Sequence, residues 1–406
     1  MTAPLDICFV SMHTSPANLP GSGDAGGMNV VERAQAQALA ELGHRVRLVT
    51  RRAAPDEPDE RELFPGVTLH HLDAGPPTVL PKSRIDDHLD EFSANLARLA
   101  PASIVHSHHW MSGVAALPVA RAWGVPHVQS YHSVAALPGS ELAAGEPPES
   151  PRRIPGEVLV AAESDAVVAI SAAEARTVIE RCGAVPQQVH IVSPGVDQEL
   201  FRPLAAGEPR WLPEDAGPDF VERGFLLFAA RFQPLKGPDL AIRALAELEP
   251  ELRPHLLVAG DTSPDFASYD AELHDLVARL GLDGLVHFIG PQPRPALAEL
   301  MRSARVVLVP SHSETFGLVA LEAAASGTPV IAAAAGGLRE AVAHGETGQL
   351  MDSREPEDWG RALRRLLTEP GLLDRMGTVA RVHARRFEWR WSAHRLAALY
   401  AELVER

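Results

Sequence analysis

Two carboxylates and two cations carry the strongest chemical signal in this chain. Glu314 and Glu322 stand eight positions apart in "SHSETFGLVALEAAASGTPVIA" (311–332), and Arg231 and Lys236 stand five apart in "AARFQPLKG" (229–237). Glu314 follows an apolar, β-type run and reads as a loop residue. Glu322 falls on a helix expected to open near Gly317, with the backbone N–H groups of Phe316, Gly317, Leu318 and Val319 at its open end. Such an end favours anions. Carboxylates accept paired hydrogen bonds from neighbouring sugar hydroxyls, and cations at the carboxyl end of a strand neutralise a diphosphate leaving group. Each residue alone has a plainer reading as solvated charge. Their convergence on strand ends favours nucleotide-sugar chemistry.

A second signal is the loop "LPGSGDAGGMNV" (19–30), in which Gly21, Gly23 and Gly26 spell G-x-G-x-x-G. A dinucleotide fingerprint puts its first glycine at the end of the first strand and an acid at the end of the second. Here the first strand ends near Met12, nine positions before Gly21, with Pro16 and Pro20 between; the second ends on Thr50, Arg51 and Arg52. An NADP-dependent oxidoreductase stays open as a remote alternative, and so does a glycine loop without a ligand. Gly26, Gly27 and Asn29 lead directly into a helix, so the loop reads better as a phosphate-facing lip.

The elements that must position these residues alternate. β-type runs at 5–12, 44–50, 67–72, 104–108, 127–132, 166–171 and 189–194 are separated by helical patterns, and 29–43 closes on Gly43. The stretch 201–224, rich in proline, glycine and acid, reads as a linker. Alternation then restarts at 225–231, 255–261, 286–290, 305–311 and 329–333. This is an α/β pattern of two doubly wound, Rossmann-like domains facing across a cleft. The expected boundaries are 1–202 for an acceptor-binding domain and 203–386 for a nucleotide-sugar-binding domain. A C-terminal helix over 387–406 is expected to cross back. Ligands of such folds bind at the carboxyl ends of the strands.

The bulk numbers agree. A chain of 406 residues is too long for one ordinary core. A net charge of −16 argues against a duplex nucleic-acid partner. No apolar run reaches the ~18 residues of a membrane span, and the N-terminus lacks a basic leader. A cytoplasmic location is expected. Cys8 and Cys182 are the two cysteines, expected as reduced thiols. No His/Asp cluster shows metal spacing, so no metal is expected to be required. A non-essential Mg²⁺ and a homodimer stay open.

These motifs resemble the retaining nucleotide-sugar glycosyltransferases of family 4, which have the GT-B fold. The E-x7-E and R-x4-K patterns are that family's donor-site marks, and the resemblance covers essentially the whole chain. "MHTSPANLPGSGDAGGMNV", "HSHHWMSG" (106–113) and "VPSHSETFGLVALEA" (309–323) look most like the mycothiol-pathway D-inositol-3-phosphate glycosyltransferases. The resemblance implies that Arg231 and Lys236 hold the donor diphosphate, with Gly27 passing its backbone close by. It implies that Glu322 binds the ribose, Glu314 the transferred sugar, and Arg294 the nucleobase. His132 would be the active-site histidine near the sugar, although alone it reads equally as a core histidine.

On the acceptor side the resemblance points to His13, Asp24, Asn29, Lys82, His109, Ser133 and Arg153. The relatives hold an inositol phosphate with a Lys, a Tyr, a Thr and an Arg. Lys82 and Arg153 match the cations, while His109 replaces the Tyr and Ser133 the Thr. An anionic acceptor fits two cations. The substitutions keep open a natural-product glycosyltransferase with another small acceptor, such as the thiol ergothioneine. A hydrolytic or epimerase relative is a third class. The donor is a nucleotide sugar, UDP by resemblance and GDP as the other option, and no cofactor is required.

Overall fold

The computed structural model describes residues 3–18, 20, 25–137, 139, 140, 150–214, 216–262 and 266–406. Gly21, Gly23 and Asp24 lie outside the described residues. The expected alternation resolves into two sheets. The first runs in the order β3-β4-β2-β1-β5-β6-β7-β8, from β1 (Asp6–Val10), β2 (Arg45–Arg51), β3 (Glu60–Phe64), β4 (Val67–Leu72), β5 (Ile104–His108), β6 (His127–Ser130), β7 (Ala166–Ala169) and β8 (Val189–Ile191). The second runs in the order β11-β10-β9-β12-β13-β14, from β9 (Phe225–Ala229), β10 (His255–Ala259), β11 (Val286–Phe288), β12 (Val306–Val309), β13 (Val330–Ala333) and β14 (Gly348–Met351). Every pairing is parallel except β3 with β4.

Because neighbouring residues of a strand face opposite ways, both faces of each sheet are apolar. In the first sheet Ile7, Phe9, Val46 and Leu48 face one core, and Cys8, Val10, Val49 and Val105 the other. In the second, Leu227, Val307 and Ala332 face one core, and Leu226, Phe228, Val306 and Ile331 the other. Continuous burial explains why these strands read as apolar runs. Both cysteines are buried and free.

Three features depart from the sequence expectation. The strands β3 and β14 carry no apolar run and went unseen. Glu60, Arg61 and Glu62 are exposed on the antiparallel edge, where charge blunts pairing with other chains. The proline-rich stretch 201–224 is packed. Its Phe201 and Phe220 join the core of the second sheet with Phe225 and Leu227, and Phe220 opens no linker but sits in a short helix, Pro218–Arg223.

The chain passes between the two sheets twice, side by side. The Val196 N–H donates to the Phe387 carbonyl at 3.1 Å. A Cβ on Gly195 would lie 2.3 Å from the Trp389 nitrogen, so only glycine fits that crossing. Beyond it the helix Trp389–Glu405 returns to the first sheet. There Ala393, Leu396, Tyr400 and Leu403 share a core with Ile7 and Phe9. Gln35 of the helix Gly27–Glu41 donates to the Ser392 hydroxyl at 2.9 Å. Among the described residues, no helix is long and apolar enough to cross a membrane.

Candidate functional site

The carboxyl ends of the two sheets face each other across a cleft of about 460 Å³. Except for Asp24, which is not described, every residue singled out in the sequence for donor or acceptor binding lines it.

The second domain supplies one wall. Arg231 follows β9, and Lys236 ends the turn Pro234–Lys236. Glu314 lies in the loop after β12, and Glu322 on the helix Leu318–Ala325. Gly317 caps that helix with φ +103°, and a Cβ there would lie 2.5 Å from Leu338, so the helix start requires glycine. Gly336 lets a neighbouring turn close on the Glu314 carbonyl, 2.1 Å from where its Cβ would stand. The carboxylates and cations are paired: Lys236 Nζ to Glu314 at 2.7 Å, and Arg294 to buried Glu322 at 2.7 Å. The Arg294 guanidinium also lies 4.8 Å over the Phe201 ring. Arg294 therefore stands as the partner of Glu322, a pairing its sequence position did not reveal. Phe316 offers only backbone, since its ring is buried against Phe387.

The first domain supplies the other wall. His13 follows β1, His109 follows β5, and His132 and Ser133 follow β6. Among the described residues, His109 (φ +72°) and His132 (φ +59°) are the two non-glycine residues of positive φ. Left-handed backbone at bulky residues is uncommon and gathers at functional sites. Arg153 pairs with Glu157 at 2.9 Å and reaches the Ser133 hydroxyl at 3.3 Å. Lys82 lines the same end. Asn29 lines the cleft and also braces the loop before its helix. Its Oδ1 accepts from the Gly26 N–H at 2.9 Å, and its Nδ2 donates to Thr14 and Ser15 at 3.1 and 2.8 Å. With both amide hydrogens used within the loop, Asn29 holds the lip in shape.

Burial lowers the basicity of the site's histidines. His132 is pushed down to about 3 by burial alone. For His13 and His109, burial acts first and neighbouring charged groups, Lys82 among them, add to it; both lie well below the usual value. These imidazoles are neutral at pH 7. The His13 and His109 rings lie 4.2 Å apart, and His13 Nδ1 and both ring nitrogens of His109 have no protein partner. A buried carboxyl, Glu174, also lines the cleft, and burial raises it to about 7.

The two walls touch. The Thr315 hydroxyl donates to the His132 carbonyl at 2.7 Å. Glu340 accepts from the Ala172 and Ala173 N–H groups at 2.8 and 3.4 Å. A Cβ on Gly27 would meet Leu318 at 3.4 Å, and one on Gly26 would lie 3.9 Å from the Arg231 guanidinium. Sequence reasoning missed Thr315 and Glu340, because cross-domain contacts leave no local pattern, and it missed Glu174, which accepts from the Ile170 N–H within its own domain. Glu174 had one legible signal, its position three after the helix cap Ser171.

The sequence showed no metal spacing, yet the fold gathers Glu32, His108 and His132 with ligand atoms within 4.8 Å of one another. His108 Nδ1 and His132 Nε2 are 2.8 Å apart. That is a hydrogen-bond span. Two imidazoles on one tetrahedral ion, at about 2.0–2.1 Å each, would stand roughly 3.3 Å apart. As placed, the two imidazoles share a hydrogen, with Glu32 3.8 Å from His108 Nδ1.

Comparison with known proteins agrees with this architecture. Residues 26–195 match the family model described as glycosyl transferase 4-like domain, and residues 215–383 match glycosyl transferases group 1. The chain is 42% identical to a D-inositol 3-phosphate glycosyltransferase of Stackebrandtia nassauensis, over 99% of this chain and 93% of that one. It is 42% identical to the protein of the same name from Thermobispora bispora, over 98% and 95%. Among solved structures, sucrose-phosphate synthase of Thermosynechococcus elongatus superposes with a TM-score of 0.87 at 28% identity, covering 98% of each chain. Anabaena HepE in complex with UDP and glucose superposes at 0.76 and 19% identity, covering 98% of this chain and 100% of that one.

Proposed function

The chain belongs to the group 1 glycosyl transferases of GT-B fold, and from that premise we infer that it transfers a hexose-type sugar from a nucleoside diphosphate, with retention, to a small anionic acceptor such as an inositol phosphate. The observation that carries this reading is the pairing of Lys236 with Glu314 beside the open start of the helix Leu318–Ala325. A donor diphosphate would take Lys236 and Arg231 as its counter-charges and free Glu314 for hydroxyls of the transferred sugar. Glu322, buried beside Arg294, suits the ribose diol.

The sugar C1–O bond to the diphosphate breaks under the pull of these cations and the helix N–H groups. The acceptor oxygen bonds to C1 on the face the leaving group vacates. Its proton passes to the departing phosphate oxygen, so no side-chain base is needed, in keeping with a neutral His132. Closure of the walls excludes water and strengthens each charge interaction. Lys82 and Arg153 suit an anionic acceptor. UDP is the preferred donor nucleotide by family resemblance.

The neutral pair His13 and His109, with three unpartnered ring nitrogens, favours a second reading of the acceptor. A different small polar molecule of a natural-product pathway would suit that end equally. One experiment separates these readings: mass spectrometry of the products formed from UDP-, GDP- and TDP-sugars with inositol phosphate and with thiol acceptors. Glu314→Ala and Lys236→Ala should each cut transfer by about 100-fold or more, the usual worth of one electrostatic contact to developing charge. Full activity in both folded variants would overturn the donor site.

A further inference from the structure

We propose that the second domain holds a second ligand site, at the end of its sheet opposite the cleft, built for a small organic polyphosphate. A cavity of about 730 Å³ opens there. Phe225, the first residue of β9, lines it, as do Arg305 and Pro329, which immediately precede β12 and β13. The cleft lies at the other ends of the same strands. Among the described residues, no histidine, cysteine or lysine lines this cavity, so its chemistry is that of binding.

Charge points to an anion. Six arginines line the cavity: Arg210, Arg223, Arg302, Arg305, Arg381 and Arg385. The two acids that line it, Glu222 and Asp374, are exposed, and neither pairs with an arginine among the described residues. Arg223 and Arg302 find carboxylates outside the cavity, in Asp219 and Glu208. The other four have no carboxylate partner among the described residues, in a chain whose net charge is −16. Burial lowers the basicity of Arg305, and the charge of Arg210 adds to it; burial and then Arg385 do the same to Arg381. An anion between such like charges relieves their repulsion.

Unspent donors point to phosphate. A guanidinium carries five N–H donors in a planar fork that matches phosphate oxygens. Arg381 spends three, on the carbonyls of Gln198, Phe201 and Ala325 at 3.2, 3.1 and 2.9 Å. Arg305 spends two, on those of Arg223 and Leu367 at 3.1 and 3.4 Å. Arg210 spends one, on that of Ser303 at 3.2 Å. The backbone thus holds these side chains in place and leaves donors over for a ligand.

The walls also carry apolar surface. Leu212, Val221 and Val382 line the same cavity and stay 46, 59 and 59% exposed. A ligand with an apolar or aromatic body and phosphates at one end, as a nucleotide has, satisfies both kinds of surface. Arg381 links the site to the donor wall. The Ala325 carbonyl it holds ends the helix Leu318–Ala325, whose start opens on the cleft. That helix of eight residues is about 12 Å long. An occupant on Arg381 touches it from the far end, which gives the site a route to the donor. That consequence rests on the glycosyl-transfer reading; the anion site does not.

The test is calorimetric titration of the full-length protein with Mg²⁺-free ATP and, separately, with inorganic tripolyphosphate. Arg210→Glu combined with Arg385→Glu reverses two exposed charges of the cavity, and urea unfolding checks that this variant folds. Lys236→Ala removes a cation of the cleft instead. ATP should bind the wild type, keep its affinity in Lys236→Ala, and lose about 10-fold or more in the double variant, where attraction becomes repulsion. Tripolyphosphate should follow the same pattern with lower affinity, since it lacks the apolar body. ATP binding that the double variant keeps and Lys236→Ala loses overturns the site, as does a wild type that takes up no ATP at millimolar concentration. Tripolyphosphate binding as tightly as ATP overturns the organic part of the proposal. If no nucleotide sugar supports transfer, the functional reading fails while these titrations still decide the site.

Discussion

At the scale of residues, the first domain holds an unusual number of neutral imidazoles. His127 and His132 are pushed down to about 3, and His13, His106, His108 and His109 lie well below the ordinary 6.5, in every case chiefly through burial. A base whose folded value is depressed contributes stability that is complete above its unfolded value and is lost as pH falls below it. Each such histidine costs about 1.4 kcal/mol of stability one pH unit below 6.5. Six of them acting together should make the fold fail steeply between pH 6.5 and 5. Glu174, raised to about 7, acts with the opposite sign: its burial penalty grows as pH rises from 4.5 towards 7. Glu32, which burial also holds well above the usual carboxylate range, acts in the same sense, and two carboxyls do not offset six imidazoles. Urea unfolding followed from pH 7.5 to 5.5 checks this, and a midpoint that stays level or rises on acidification would refute it. The donor residues were legible because E-x7-E and R-x4-K place charge around strand ends within short stretches. The pairing of Arg294 with Glu322 joins two separate strand–helix units, so no local pattern announces it.

At the scale of elements, β5 and β6 were readable as apolar or alternating runs, but their polar contents were not. The string "HSHHWMSG" looks solvent-facing by composition. In the fold, His106, Ser107 and His108 are wholly buried, each inside a hydrogen-bond pair: His106 with Ser130, Ser107 with His127, and His108 with His132. The returning helix closes this network through Tyr400, whose hydroxyl bonds His106. Tyr400→Phe should leave a buried acceptor unpaired and lower stability by about 1–3 kcal/mol, without changing the donor KM, since Tyr400 does not line the cleft. Chemical denaturation alongside a donor titration separates these effects. The edge strand β3 escaped notice for the opposite reason. Its charges mask the period of two, and only its antiparallel pairing with β4 makes it a strand.

At the scale of the whole molecule, the two-domain plan followed from the restart of the alternation after position 224, and the cleft from the direction of parallel strands. The degree of closure did not, because it depends on contacts between residues far apart in sequence. Thr315 with His132, and Glu340 with the Ala172 and Ala173 N–H groups, tie the walls together before any donor is considered. Thr315→Val combined with Glu340→Ala should loosen this state. Small-angle scattering of the double variant should give a larger radius of gyration than the wild type, reversed by saturating nucleoside diphosphate. The donor KM should rise about tenfold, as expected when binding must first drive closure. An unchanged radius would mean that packing at the double crossing sets the angle.

That double crossing also orders events in time. The face of the first sheet formed by Ile7, Phe9, Val46 and Leu48 is covered in part by Leu396, Tyr400 and Leu403, which are synthesised after both sheets. During translation the first domain emerges with that apolar face bare, while the second domain can complete its own core. The first domain is thus begun before the second and finished after it. A ribosome stalled before Trp389 would present a chain whose exposed flank lies in its first domain.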